Sequence, residues 1–161
     1  MKSTTNKTEL LVKSAIVAAI YAVTTMINPL SYLGIQFRIS EVLVLLVLID
    51  KRYITPLVIG NIIANLNSPL GYFDIIFGSL ATLISLLLII KTTNLFIATL
   101  WPAIVNGLII GIMLNRLLNL PLLLSIAQVF IGEFVIVSIF GYILFNKILK
   151  DEVLISKLRI S

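Results

Sequence analysis

The stretch LFIATLWPAIVNGLIIGIML, residues 95–114, decides the class of fold. It contains 20 residues and no charged side chain. An α-helix rises about 1.5 Å per residue, so a helix of this length can cross the hydrocarbon core of a bilayer, which is about 30 Å thick. The stretch therefore predicts a membrane-spanning helix.

Five further apolar runs surround this stretch, at residues 10–28, 42–49, 54–66, 73–90 and 120–146. Of the 161 residues, 60% are hydrophobic and only 12% are charged, which is too much apolar surface for a small soluble domain. We therefore predict an all-α integral membrane protein that forms a single domain over residues 1–161. Its six transmembrane helices are expected near residues 10–28, 40–50, 54–67, 73–91, 95–116 and 120–149.

The basic residues predict the topology of this bundle. If the N-terminus is cytoplasmic, ten of the 12 Lys and Arg residues lie on the inner side and two, Arg38 and Arg116, on the outer side. The ten are Lys2, Lys7, Lys13, Lys51, Arg52, Lys91, Lys147, Lys150, Lys157 and Arg159. This asymmetry follows the positive-inside rule. It predicts a multi-pass protein of the cell membrane with both termini in the cytoplasm, and it explains the positive net charge without a nucleic-acid partner.

The residue types that are missing exclude several kinds of chemistry. The sequence contains neither cysteine nor histidine, so it offers no disulfide, no thiol nucleophile, no Cys/His metal site and no histidine acid or base. It also lacks the G-x-x-x-x-G-K-[ST] motif of nucleotide hydrolysis. We therefore predict that the chain is not an enzyme and holds no cofactor or metal.

Polar residues inside and beside the apolar runs predict a ligand pocket. Glu133 and Asn106 fall near the middle of their runs, where an unpaired carboxylate costs several kcal/mol. Asp74 opens the fourth run, and the stretch SYLGIQFRISE (residues 31–41) links the first two runs on the outer side. Carboxylates and amides together suit a flat heterocycle with donor and acceptor edges. The candidate binding residues are Tyr32, Gln36, Arg38, Glu41, Asn65, Asp74, Asn106 and Glu133.

Several of these residues also have a purely structural interpretation. Glu133 could form an ion pair with Arg38 or Arg116, and Asn106 could join two helices by a hydrogen bond. Glu41 could simply favour the first turn of a helix through the helix dipole. Tyr32 could be an ordinary interfacial aromatic residue.

Small residues form a strip on the first predicted helix, at Ala15, Ala18, Ala19 and Ala22. Their spacing allows close approach of another helix, either within the chain or in a partner protein. Of the small-residue strips in the sequence, this one is the best candidate for an external partner.

Four stretches carry a resemblance to a known family: AAIYAVTTMINPLSYLGIQFRISEVLVLL (residues 18–46), NSPLGYFDIIFGSLATL (67–83), WPAIVNGLIIG (101–111) and IGEFVI (131–136). The sequence resembles the QueT family from about residue 10 to residue 148. Members of that family are substrate-binding S-components of energy-coupling factor (ECF) transporters.

The resemblance implies six membrane helices and a ligand site beneath the loop between the first two. It implies a queuosine precursor as ligand, that is, a 7-deazaguanine such as 7-aminomethyl-7-deazaguanine, 7-cyano-7-deazaguanine or queuine. It also implies docking through the alanines of the first helix onto a transmembrane T-component driven by two ATPase subunits. Three alternatives remain open at this point: an S-component for another vitamin, a solitary facilitator, and a membrane scaffold without a ligand.

Overall fold

The computed structural model describes residues 7–160, and this part of the chain is helical without any strand. We number seven helices in chain order. They are helix 1 (Lys7–Ile27), helix 2 (Ile39–Leu48), helix 3 (Ile54–Asn65), helix 4 (Asp74–Ile89), helix 5 (Leu95–Leu118), helix 6 (Leu122–Ile148) and helix 7 (Glu152–Leu158). Of the basic residues used to predict the topology, Lys2 lies outside the described residues.

Each of the six predicted helices corresponds to an observed one, with ends that differ by a few residues. Helices 1, 5 and 6 are long and apolar enough to cross a membrane, whereas helices 2 and 4 are shorter apolar helices. The predicted all-α membrane fold is therefore confirmed in its class. Six crossings and cytoplasmic termini stay predictions. The short helix 7 was not predicted.

Helix 2 is a 3₁₀-helix over its whole length of 10 residues. Runs of 3₁₀-helix longer than three or four residues are uncommon. A 3₁₀-helix rises about 2.0 Å per residue, so these residues extend about 20 Å, compared with about 15 Å for an α-helix. The stretched geometry lets a short apolar run reach further through the bundle.

Helices 5 and 6 pack closely as an antiparallel pair because glycines lie between them. A Cβ atom at Gly107 would lie 3.1 Å from the Cβ of Phe130, and one at Gly111 would lie 2.7 Å from the Cα of Ile126. The Ser138 hydroxyl donates to the carbonyl of Thr99 at 2.9 Å, further along the same pair. These contacts fix which residues of the two helices lie at the same depth.

The alanine strip on helix 1 is divided by the packing of helix 3. Ala18 and Ala22 are buried, and a Cβ atom at Gly60 of helix 3 would lie only 2.9 Å from the carbonyl oxygen of Ala18. Ala15 and Ala19 are exposed. The prediction of one four-residue external strip is therefore corrected: Ala18 and Ala22 pack within the chain, and only Ala15 and Ala19 stay accessible.

One end of the bundle joins the start of helix 1, the turn after helix 2 and the C-terminal segment. The Lys13 ammonium group donates to two carbonyls of that segment, both at 2.8 Å. The Tyr53 hydroxyl donates to the carbonyl of Leu158 at 2.5 Å, and the Ile160 N–H donates to Asp50 Oδ2 at 3.0 Å. The two ends of the described chain therefore lie at the same end of the bundle, which we call the basic end.

Candidate ligand-binding site

The loop between helices 1 and 2 closes the other end of the bundle, and we call residues 28–38 the capping loop. Asn28 organises it, because its Oδ1 accepts from the Leu30 N–H at 3.1 Å and its Nδ2 donates to the Phe37 carbonyl at 2.7 Å. The Phe37 N–H also donates to the Leu30 carbonyl at 3.0 Å. The loop therefore folds back on itself.

The longer polar side chains of the capping loop are buried. Gln36 has a positive φ of 47°, a left-handed conformation that costs a non-glycine residue about 1–2 kcal/mol. Arg38 is 4% exposed, and its Nε donates to the Ser31 carbonyl at 3.1 Å. The Arg38 guanidinium carbon lies 5.9 Å from the centre of the Tyr32 ring. The backbone therefore places an amide and a cation inside the protein.

Tyr32 fastens the capping loop to helix 3. Its hydroxyl donates to the carbonyl of Ala64 at 2.7 Å. Burial raises the pKa of the Tyr32 hydroxyl, so this group stays protonated and keeps its donor role at physiological pH. Tyr32 thus lies at the edge of the site, and its hydroxyl already has a partner.

The capping loop also rests directly on helix 6. A Cβ atom at Gly132 would lie 2.0 Å from the carbonyl oxygen of Ile35, so only glycine allows this contact. A Cβ atom at Gly34 would lie 3.2 Å from Gln128 Oε1, one turn earlier on the same helix. Because Gly132 precedes Glu133, the loop contact lies beside this carboxylate.

A buried chain of hydrogen bonds joins helices 1, 2 and 3. The Tyr21 hydroxyl donates to Glu41 Oε1 and accepts from Asn61 Nδ2 at 2.9 Å. Asn61 Oδ1 in turn accepts from Asn65 Nδ2 at 2.8 Å. Tyr21, Asn61 and Asn65 are fully buried, and Glu41 is 2% exposed. The network therefore fixes the orientation of Glu41 and Asn65 within the bundle.

Asp74 extends this network to helix 4. Its Oδ2 accepts from the Ser68 hydroxyl, and its backbone carbonyl accepts from Asn65 Nδ2 at 3.0 Å. A Cβ atom at Gly78 would lie 2.7 Å from Asn65 Nδ2, so the glycine makes room for the amide. Asp74 also begins a π-helical segment, Asp74–Gly78, and such segments are frequent at functional sites.

Glu133 and Asn106 enter the site from helices 6 and 5. Glu133 is 2% exposed and immediately precedes a second π-helical segment, Phe134–Gly141. Gly107 lies against Phe130 in the antiparallel pair, which places Asn106 within about one helical turn of Glu133 along the axis. Asn106 is 5% exposed. Both acidic residues at the start of the π-helical segments, Asp74 in the first and Glu133 directly before the second, are thus candidate site residues.

Five of the predicted site residues present a buried polar atom that has no hydrogen-bond partner among residues 7–160. These atoms are Glu41 Oε2, Asn65 Oδ1, Asp74 Oδ1, Asn106 Nδ2 and Glu133 Oε2. Leaving a buried donor or acceptor unpaired costs about 1–3 kcal/mol, and folded proteins keep few such groups. The cluster can therefore bind a molecule that brings several donors and at least one acceptor.

The charges of the site are unbalanced. Glu133 interacts electrostatically with Glu41 and with Arg38, yet among the described residues it forms no ion pair with Arg38 or Arg116. The structural interpretation of Glu133 as half of a salt bridge is therefore wrong for this conformation. Glu41 and Glu133 thus interact with a single buried cation, Arg38.

The structure buries seven of the eight predicted site residues and leaves Tyr32 partly buried. The seven are Gln36, Arg38, Glu41, Asn65, Asp74, Asn106 and Glu133, and they extend from the capping loop to the middle of helices 5 and 6. Contact with a ligand stays a prediction for each. Sequence reasoning missed Tyr21 and Asn61 as members of the site. The available signal was weak, because a tyrosine in a membrane helix is common and its hydroxyl usually finds a partner only once buried.

Residues 7–160, all-helical with three helices long enough to span a bilayer and with buried polar side chains beside a capping loop, have the architecture of a multi-pass membrane protein. The chain belongs to the QueT transporter family, whose family model matches residues 11–150. It is therefore a multi-pass protein of the cell membrane from a family of transporters rather than of enzymes, as predicted.

One curated relative is the queuosine precursor transporter QueT of Lactococcus lactis subsp. cremoris (strain MG1363). It is 42% identical over 84 residues, which are 50% of this chain and 49% of that protein. The match thus spans about half the length of the relative. No solved structure matches the chain significantly.

Proposed function

We propose that this chain is the substrate-binding S-component of an ECF-type transporter and that it binds a queuosine precursor of the 7-deazaguanine class. Family membership and the function named for the Lactococcus lactis relative support the solute class. The observation that carries the proposal is that five predicted site residues each keep a buried carboxylate or amide atom without a hydrogen-bond partner among residues 7–160.

The unpaired atoms complement the hydrogen-bonding edge of a guanine-type ring. Such a ring presents one carbonyl acceptor beside a ring N–H and an exocyclic amine, which are donors. Asn106 Nδ2 can donate to the carbonyl, and Glu133 Oε2 can accept from the donors. Hydrogen bonds to a carboxylate are roughly twice as strong as neutral ones. We assign the ring edge to Glu133 and Asn106, and the ring substituent to Asp74 or Glu41.

The charge of the site bears on the substituent of the ring. Glu41 and Glu133 interact electrostatically with each other and with one buried cation, Arg38, and Asp74 is a third buried acidic residue. An aminomethyl arm brings a positive charge that a carboxylate can pair, whereas a cyano arm brings none. We propose that the carboxylate that does not hold the ring edge distinguishes these two arms.

The same proposal includes the topology. In an S-component, six helices cross the membrane, the basic end lies on the cytoplasmic side and the capping loop lies on the outer side. The contacts of Lys13 with the C-terminal segment support a shared side for the two termini. A cytoplasmic basic end agrees with the positive-inside rule.

Docking on a T-component is proposed for the exposed part of the alanine strip. Ala15 lines a groove of about 510 Å³ between helices 1 and 3, with Lys7 and Arg52 at the basic end. Ala15 and Ala19 face outward and leave space for close approach of a partner helix. Two ATPase subunits would drive the assembled transporter.

Calorimetry on the purified protein in detergent tests the ligand. The panel is 7-aminomethyl-7-deazaguanine, 7-cyano-7-deazaguanine, queuine, guanine and riboflavin. We expect saturable binding of a 7-deazaguanine and none of riboflavin, and we expect Glu133→Gln to weaken it at least about tenfold, which is 1.4 kcal/mol. Glu152→Gln, on the exposed helix 7, is the matched control. Unchanged affinity in both Glu133→Gln and Asp74→Asn would reject the assignment.

Co-purification tests the partners. Affinity capture of the tagged chain from its native membrane is expected to retain a T-component and two ATPase subunits. Ala15→Trp should abolish that retention while leaving ligand affinity unchanged, because Ala15 is exposed and far from the capping loop. Ligand binding without any ATPase would instead support a solitary facilitator, and failure of the whole panel would leave a different vitamin or a scaffold.

A further inference from the structure

The capping loop reverses the usual arrangement of polar and apolar side chains. Its large apolar residues face outward, with about half of each side chain exposed: Leu30 48%, Leu33 56% and Ile35 47%, followed by Ile39 at 55% in helix 2. Its polar residues Ser31, Gln36 and Arg38 face inward, as does Ser40 in helix 2. From Ile35 to Ser40 the two kinds alternate, with only Phe37 partly buried.

A loop that faces water shows the opposite pattern. In soluble proteins, strands and loops that cover a core turn apolar side chains inward and polar ones outward. The single charged residue between positions 28 and 39, Arg38, is buried here, so the loop presents no charge to its surroundings. The medium that the loop faces is therefore expected to be apolar.

The apolar face of the loop is continuous with the surface of the helix that precedes it. Val23 and Ile27, at the end of helix 1, are 54% and 73% exposed, and helix 1 is one of the helices long and apolar enough to span a bilayer. Between Leu30, Leu33, Ile35 and Phe37 lies a shallow apolar cleft of about 180 Å³. The lipid that covers helix 1 can therefore extend over the loop without meeting a polar boundary.

We propose that the outer face of the capping loop lies within the bilayer and contacts the acyl chains of phospholipid. The lid of the ligand site is then a membrane-embedded surface with a polar inner side and a lipid-facing outer side. Because the loop exposes no cation, the contact needs no anionic headgroup. This inference concerns the loop alone and does not depend on which ligand the site binds.

A spin label at Leu33 tests the proposal. The chain has no cysteine, so Leu33→Cys gives a single labelling position without changes elsewhere. The protein is reconstituted into vesicles of phosphatidylcholine, and collision rates of the nitroxide with oxygen and with a neutral nickel chelate are compared. Oxygen concentrates in lipid and the chelate in water. We expect the Leu33 label to favour oxygen by at least about tenfold relative to a label at the control position.

Asn67→Cys supplies the matched control, because Asn67 is exposed in the polar turn beyond helix 3, close to the same end of the bundle. Its label should favour the nickel chelate. Equal chelate access at both positions in correctly folded protein would overturn the proposal. Ile35→Cys is the second variant if Leu33→Cys does not fold. Replacing a third of the lipid by an anionic phospholipid should leave the ratio unchanged, and a rise in the ratio would contradict the stated chemistry.

Discussion

The Tyr21 hydroxyl organises part of the candidate site, although Tyr21 was not among the predicted site residues. The hydroxyl donates to Glu41 and accepts from Asn61 Nδ2 at 2.9 Å, so it orients a carboxylate and an amide on two other helices. With Tyr21 in this position, Glu41 uses Oε1 for the network and leaves Oε2 unpaired. Tyr21 is therefore a positioning residue that prepares Glu41 for a ligand.

Tyr21→Phe should destabilise the protein by about 1–3 kcal/mol, because it leaves one oxygen of Glu41 and one N–H of Asn61 without a partner in a fully buried place. Thermal unfolding in detergent measures the loss. Tyr72→Phe is the control, since Tyr72 is 64% exposed and surface changes are usually within 0.5 kcal/mol, roughly. Ligand affinity should fall in the same variant. Equal unfolding temperatures for the two variants would show that the network contributes nothing.

At the scale of the element, hydropathy predicted where the helices lie but not what kind of helix each is. The run 42–49 is apolar at every position, so it has no polar face whose periodicity distinguishes an α-helix from the observed 3₁₀-helix. The π-helical segments that begin at Asp74 and at Phe134 could not be predicted from the sequence either. They depend on tertiary packing, which sequence spacing does not report.

The alanine strip illustrates the same limit. The four residues fall within one sector of the helix at about 100° per residue, with Ala18 and Ala22 towards one side and Ala15 and Ala19 towards the other. Gly60 of helix 3 packs against Ala18 on the first side, and Ala15 and Ala19 on the other side stay exposed. Sequence predicted the strip, but only the packing of helix 3 decides which half is buried.

The candidate site was easier to predict because burying its carboxylates in a membrane costs free energy. Buried carboxylates such as Glu133 and Asp74 stand out against an apolar background, since lipid does not tolerate them without a reason. Tyr21 was missed because a hydroxyl group costs less than a carboxylate and is common in membrane helices. Asn61 was missed because its position in the third apolar run predicted a depth in the inner half of the membrane. Glycines that shape the site, such as Gly132, could not be predicted either, because a glycine has no polar side chain that stands out in an apolar run.

Gly132→Ala tests whether the contact between the capping loop and helix 6 shapes the site. The added Cβ would lie 2.0 Å from the backbone oxygen of Ile35, so the loop must move. We expect at least about tenfold weaker ligand binding by calorimetry, or 1.4 kcal/mol. Gly141→Ala on the same helix is the control, because the closest atom to its Cβ would be a methyl group of Leu45, at 3.0 Å, which can rotate away. Equal loss in both variants would point to a general defect of helix 6.

At the scale of the whole molecule, the two ends of the bundle are built differently. The capping end has buried carboxylates with unpaired oxygens, whereas at the basic end Asp50 is fully paired. Asp50 forms an ion pair with Arg52 at 2.7 Å and accepts from the backbone N–H groups of Arg52 and Ile160, both at 3.0 Å. This carboxylate ties the last described residues to the turn after helix 2, so it holds the C-terminal segment in place.

Asp50 also gives the basic end a predictable response to pH. Burial acts to raise the pKa of Asp50, but the hydrogen bonds from Arg52 and Ile160 outweigh it and lower the pKa below its ordinary value. A carboxyl group with a lowered pKa stabilises the fold above its unfolded pKa of about 3.9, and this contribution is lost as the pH falls through the lower, folded value. The C-terminal segment should therefore stay attached from about pH 5 to 8 and loosen only in strong acid.

Hydrogen exchange of the C-terminal segment measures this attachment. In Asp50→Asn, the amide side chain loses the ion pair with Arg52 and the charge-assisted bond from Ile160, each interaction of this kind being worth about 1.5–3 kcal/mol. Exchange in residues 152–160, corrected for the intrinsic rate, should be at least about tenfold faster than in the parent at pH 7, whereas Glu152→Gln should leave it unchanged. As the pH falls below about 4, the parent should approach the exchange of the variant. A difference that persisted unchanged to pH 2 would show that Asp50 does not hold this end through its charge.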